Sequence, residues 1–118
     1  MTEDKATSFA EQREHLTRLL FARAPLPIKR FFALDADVYE DGALPRGTKE
    51  LLGLVASTVL RCDDCITYHV IEAERHGATR DQLVETLAIA LIVGGSITIP
   101  HLRGAFALLD ELRPASAS

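Results

Sequence analysis

Apolar residues recur every three to four positions along this chain, and no segment alternates apolar and polar residues long enough to mark a half-buried strand. The spacing predicts six helices. The first, over residues 9–22, carries Phe9, Leu16, Leu19 and Leu20 on one side and Glu11, Arg13, Glu14 and Arg18 elsewhere, and Pro25 and Pro27 end it. A second, over 28–39, turns Phe31, Phe32, Leu34 and Val38 toward a core and closes at Asp41-Gly42. A third opens at Pro45 or Thr48 and runs to Leu60; Leu51, Leu52, Leu54, Val55 and Val59 make it apolar on nearly every face, so it has to be buried on most of them. The fourth, over 63–76, stops at Gly77, which suits the left-handed position just past a helix end. Thr79 caps the fifth, with Gln82 as the other half of a capping box, and LVETLAIALIVGG stays strongly apolar up to Gly94-Gly95. The sixth starts near Ile99-Pro100, carries Leu102, Phe106, Leu109 and Leu112, and leads into a polar tail over 114–118.

The expectation is an all-α fold, a single compact domain over residues 1–118 with no internal repeat. The third and fifth helices are apolar well beyond one stripe. Either both form the central layer, or part of their surface is covered by another copy of the chain; the second reading, an obligate homo-oligomer, is preferred, because such interfaces resemble a domain core cut in half.

Composition narrows the function classes. A chain of 118 residues with 47% apolar content and mean hydropathy near zero reads as globular. The net charge of −4 and the lack of a basic block or any tryptophan argue against a nucleic-acid partner. No apolar run approaches the ~18 residues a membrane span needs. The start, MTEDKATSFAEQ, is polar and acidic, unlike a secretory signal, so the expected compartment is the cytoplasm. There a stable structural disulfide is unusual, and a close cysteine pair points to metal binding or redox chemistry.

The chain has two cysteines, and they stand together in RCDDCITYH, residues 61–69. Cys62 sits at the predicted helix start and Cys65 in its first turn, where partial positive charge and unpaired amides favour a thiolate. His69 follows Cys65 by four residues, on the same face. A neutral imidazole there can take the thiol proton and then stabilise the thiolate. Attack on a hydroperoxide would give a sulfenic acid, which the second thiol condenses into a disulfide. Cys65 is the better candidate for attack and Cys62 for resolution. Asp63 and Asp64 oppose this by like-charge repulsion, and Arg61 offsets part of it. The competing readings are two buried inert thiols, or a zinc site in which His76 or His101 joins Cys62, Cys65 and His69. Glu50 is the one acid in the buried-looking third helix, although an exposed first-turn glutamate is the plainer reading. His76 reads as a helix-end residue on terminal carbonyls, and His101 as scaffold.

Glu50, twelve residues before Cys62, followed by Cys62-x-x-Cys65-x-x-x-His69, resembles the signature of the alkylhydroperoxidase AhpD-like group within the carboxymuconolactone decarboxylase family. EDGALPRGTKELLGLVAS and the Gly94-Gly95 break fit as well, so the resemblance covers residues 28–112. It implies an all-helical fold assembling as trimers or hexamers. It implies thiol-dependent reduction of organic hydroperoxides with no metal, flavin or haem cofactor, and re-reduction by a lipoyl-bearing or other dithiol partner. It carries a proton relay onto Glu50 and His69, making Cys65, Cys62, His69 and Glu50 the expected catalytic set. One position departs: the best-studied type has a histidine directly before the second cysteine, and this chain has Asp64. A lactone decarboxylase of the same family has no evident use for a CxxC pair, and a thiol sensor or zinc-binding helical oligomer is the non-enzymatic alternative. In one straight helix Glu50 would stand ~22 Å from Cys65, so a relay needs a sharp break between helices or a glutamate from a neighbouring subunit.

Overall fold

The computed structural model describes residues 5–112, so the polar tail at 114–118 lies outside the described residues. Six α-helices and one short 3-10 turn follow in order: α1 Lys5–Arg23, α2 Leu26–Val38, α3 Arg46–Val59, α4 Asp63–Arg75, α5 Arg80–Gly94, a 3-10 turn Ser96–Thr98, and α6 Ile99–Leu112. Two starts differ from the sequence reading. Helix α1 begins four residues earlier, at Lys5, because its polar first turn breaks the apolar period without breaking the helix. Helix α2 begins at Leu26, with Pro25 in the capping position and Pro27 within its first turn. A proline there gives up only an amide that would have had no helical partner.

The core lies where α3, α4, α5 and α6 meet. Leu54 of α3, Ile66, Val70 and Ala73 of α4, Leu83 and Leu87 of α5, and Ala105, Leu108 and Leu109 of α6 form one buried cluster. Helix α3 packs on both α4 and α5, but Leu52 stays exposed, so the chain by itself does not bury α3 on most of its faces. The cap at Thr79 forms as the spacing requires, its hydroxyl accepting from Gln82 N at 3.1 Å while Gln82 Oε1 accepts from Thr79 N at 2.9 Å. Gly77, at φ +95°, ends α4 in the left-handed conformation.

The turn between α3 and α4 positions the site. Leu60 caps α3 and Arg61 follows at φ +62°, the one non-glycine residue in the left-handed region among those described. The amide of Arg61 donates to Thr58 O and that of Cys62 to Ser57 O, each at 3.0 Å. These two bonds close a Schellman turn, normally built on glycine; an arginine in this conformation costs roughly 1–2 kcal/mol. Cys62 is at once the last residue of that turn and the N-cap of α4. The chain therefore reverses within three residues, and α4 returns along α3.

Burial is uneven outside this core. Helices α1 and α2 contain no fully buried residue. Phe31 of α2 is 70% exposed, Ile92 of α5 85% and Leu60 76%. Among the described residues no helix is long and apolar enough to cross a membrane.

Candidate active site

Helix α4 opens at the cysteines. Cys62 has the extended backbone of an N-cap, and its sulfur accepts from the amide of Cys65 at 3.3 Å. The two are joined as a disulfide with Cα atoms 5.3 Å apart, within the range such a bond spans without moving the backbone. Cys65 is exposed and Cys62 half-buried.

One turn on, the His69 Nδ1–H donates to Glu50 Oε1 at 2.8 Å. Glu50 belongs to α3 and is wholly buried, at 0% exposure, which overturns the reading of an exposed first-turn acid. The Schellman turn resolves the distance problem: antiparallel return of α4 brings His69 to Glu50 of the same chain. Arg46, one turn before Glu50, donates from Nε to Glu50 Oε2 at 3.3 Å and from its terminal nitrogen to Glu72 Oε1 at 3.4 Å. Burial works against the Arg46 charge, yet the hydrogen bond and attraction of Glu50 outweigh it and hold its pKa above the ordinary value. Arg75 pairs with the other oxygen of Glu72 at 2.8 Å. The buried carboxylates are thus paired with cations, as charges taken out of water must be.

With a carboxylate accepting from Nδ1, the tautomer that leaves Nε2 free to take a proton is favoured. The imidazole is fixed from two further sides. The Tyr39 ring stacks on it at 5.7 Å between centroids and 27° between planes, and Tyr68 meets it edge-on at 5.3 Å. Below it lies Gly53: a Cβ there would come within 2.6 Å of His69 Cε1, 2.7 Å of Tyr39 Oη and 2.8 Å of His69 Nε2. Only glycine leaves room for both groups. Burial first, and then the neighbouring carboxylates, push the pKa of both Tyr39 and Tyr68 up.

Cys65, His69, Tyr39, Tyr68 and Asp64 share the wall of a cavity of about 720 Å³. The rest of its lining comes from α1 and α2, including Phe9, Leu16, Leu20, Phe31 and Phe32. Arg13 of α1 stands over the Tyr68 ring, 4.1 Å from its centroid. An apolar chamber of this size, with a few convergent polar groups, suits a small organic molecule. Cys62 does not belong to its lining. The exposed, cavity-facing sulfur is therefore Cys65.

The remaining histidines are engaged elsewhere. The His76 Nδ1–H donates to the Glu72 carbonyl at 2.8 Å, the helix-end contact expected of it. The His101 Nδ1–H donates to Asp63 Oδ1 at 2.7 Å and so ties one acid of the CDDC segment to α6. Among the described residues no group of three or more His, Cys, Asp or Glu is placed to hold a metal ion. Tyr39, Tyr68, Arg46 and Gly53 escaped the sequence reading. A glycine inside a strongly apolar helix is a sign of close approach; Tyr39 and Arg46 carry no such sign.

Residues 25–109 match the model of the carboxymuconolactone decarboxylase family. The chain is 35% identical over 112 residues to an uncharacterised protein of Cupriavidus necator, covering 95% of this chain and 98% of that one. A protein of Thermotoga maritima, 54% identical in sequence, superposes with a TM-score of 0.86 over 89% of this chain and 92% of its own. A second structure of that protein, TM-score 0.84 over 89% of each chain, is described as a family protein with a suggested part in antioxidative response. A family protein of Legionella pneumophila, 27% identical, superposes at 0.82 over 92% of this chain and 97% of its own.

Proposed function

Because the chain belongs to the carboxymuconolactone decarboxylase family, we propose that it is a thiol-dependent oxidoreductase that reduces organic hydroperoxides through a Cys62/Cys65 dithiol–disulfide cycle. One observation carries the reading: Cys65 and a histidine held by the buried Glu50 open on the same largely apolar cavity, with the second cysteine bonded behind the first. The antioxidative role suggested for the Thermotoga maritima protein accords with it.

In the reduced protein His69 Nε2 takes the Cys65 proton, and Glu50 supports the imidazolium. The helix start and the imidazolium stabilise the thiolate. The thiolate attacks the terminal oxygen of the hydroperoxide. The O–O bond breaks, a sulfenic acid forms on Cys65, and the alcohol leaves with one proton. The Cys62 thiol then displaces water from the sulfenic acid, closing the disulfide seen here. A dithiol, lipoyl-bearing or otherwise, returns two electrons and two protons by exchange. A homo-oligomer is part of the proposal, because the apolar residues left on α2 and α5 need a cover.

Single-cysteine variants with a sulfenic-acid trap test the assignment. Cys62→Ser treated with cumene hydroperoxide should carry one trapped sulfenic acid, on Cys65, and Cys65→Ser none. Both variants inert while folded would overturn the peroxidase reading.

A further inference from the structure

We propose that Tyr39 is a further catalytic residue of this site, its hydroxyl giving a proton to the oxygen that departs when the O–O bond breaks. The proposal rests on the hydroperoxide reading above and adds the group that completes its proton account.

Thiolate attack leaves an alkoxide, a far stronger base than any side chain present, inside a cavity walled mostly by apolar groups. A donor aimed at that oxygen is worth more there than in water. The thiol's own proton is by then on His69 Nε2. Tyr39 shares the cavity wall with both Cys65 and His69. It caps the C-terminus of α2 and lays its ring on the imidazole. Its hydroxyl and His69 Nε2 converge on Gly53, lying 2.7 and 2.8 Å from the point where a side chain would begin. The niche made by the missing Cβ thus takes up both the phenol oxygen and the Nε2 edge of the imidazole, and Tyr39, His69 and Cys65 line one cavity.

Protonation state supports the direction of transfer. Burial, followed by repulsion from Glu50, raises the Tyr39 pKa above that of an ordinary phenol, so at neutral pH the group is a donor. In the step itself, two electrons pass from sulfur into the new S–O bond as the O–O pair leaves with the alkoxide. Tyr39 gives its proton to that alkoxide and recovers one from the His69 imidazolium. The products are the alcohol and the Cys65 sulfenic acid, with the thiol's original proton now accounted for.

The test compares two oxidants whose leaving groups differ in basicity. Reduced wild type and Tyr39→Phe are mixed with tert-butyl hydroperoxide or with peroxyacetic acid, and disulfide formation is followed by intact mass after acid quench. The acetate that leaves the peracid is a weak base and needs no proton. Tyr39→Phe should therefore slow the tert-butyl reaction by roughly 10²-fold while changing the peracid reaction by less than about threefold. Iodoacetamide labelling of Cys65 should keep its wild-type rate. Equal slowing with both oxidants would make Tyr39 a packing residue, and equal unchanged rates would give it no role; either overturns the proposal. Wild type inert to both oxidants would instead overturn the peroxidase reading, and the Tyr39 step with it.

Discussion

His69 and Glu50, nineteen positions apart in the chain, meet through a 2.8 Å hydrogen bond whose acceptor has no solvent exposure. The bond joins the two antiparallel helices α3 and α4 and gives the imidazole a fixed orientation. Glu50→Gln removes the charge and releases the ring's tautomer, so hydroperoxide oxidation should slow by roughly 10²-fold with the fold retained. Glu50→Ala leaves His69 Nδ1 without its acceptor and Arg46 with Glu72 alone, and should cost about 1–3 kcal/mol in urea unfolding as well. His69→Ala should slow iodoacetamide labelling at neutral pH; a pH profile identical to wild type would remove His69 from its role.

Gly53→Ala separates helix propensity from site geometry. In an open helix the change would stabilise by about 1 kcal/mol. Here the new methyl would stand 2.6 Å from the His69 ring and 2.7 Å from the Tyr39 hydroxyl, so one of them has to move. The expected outcome is a net loss of about 1–3 kcal/mol and a large fall in oxidation rate. A variant more stable than wild type with full activity would show that the niche is not needed.

Asp64 stands beside Cys65 on the cavity wall, where the resemblance called for a histidine. Its carboxylate opposes thiolate formation, and Asp63 is partly tied up by His101. Asp64→His should speed both alkylation and hydroperoxide oxidation a few-fold near neutral pH. Unchanged rates in a stopped-flow comparison would mean that the charge is screened by solvent.

The apolar residues left outside the core predict assembly. Phe31, Leu34 and Val38 on α2, and Ile89, Ile92 and Val93 on α5, are all exposed in the isolated chain. Monomers seldom leave so much apolar surface open to water. Sedimentation should give a homo-oligomer at micromolar concentration, and Ile92→Glu should weaken it. A well-folded wild-type monomer would contradict this.

The helices were readable because periodicity, the Thr79–Gln82 box and Gly77 each act locally. The pairing of Cys62 and Cys65 was readable for the same reason, since three residues of helix start fix it. Glu50 could be named from the family's spacing, but its route to the site could not, because the reversal depends on a left-handed Arg61 and nothing in that residue type announces a turn. Arg46, Tyr39 and the cavity depend on tertiary packing. Tyr39 reaches His69 only because α2 ends over α3, and half the cavity wall comes from α1, which leaves no trace near the motif.

The most direct measurement is intact mass with a free-thiol count on fully reduced protein, before and after substoichiometric cumene hydroperoxide. The cycle predicts loss of two thiols and two hydrogens per oxidant consumed, a Cys62–Cys65 linkage on peptide mapping, and full recovery with dithiothreitol. Thiols that survive the oxidant, with the fold intact and the hydroperoxide unspent, would contradict it.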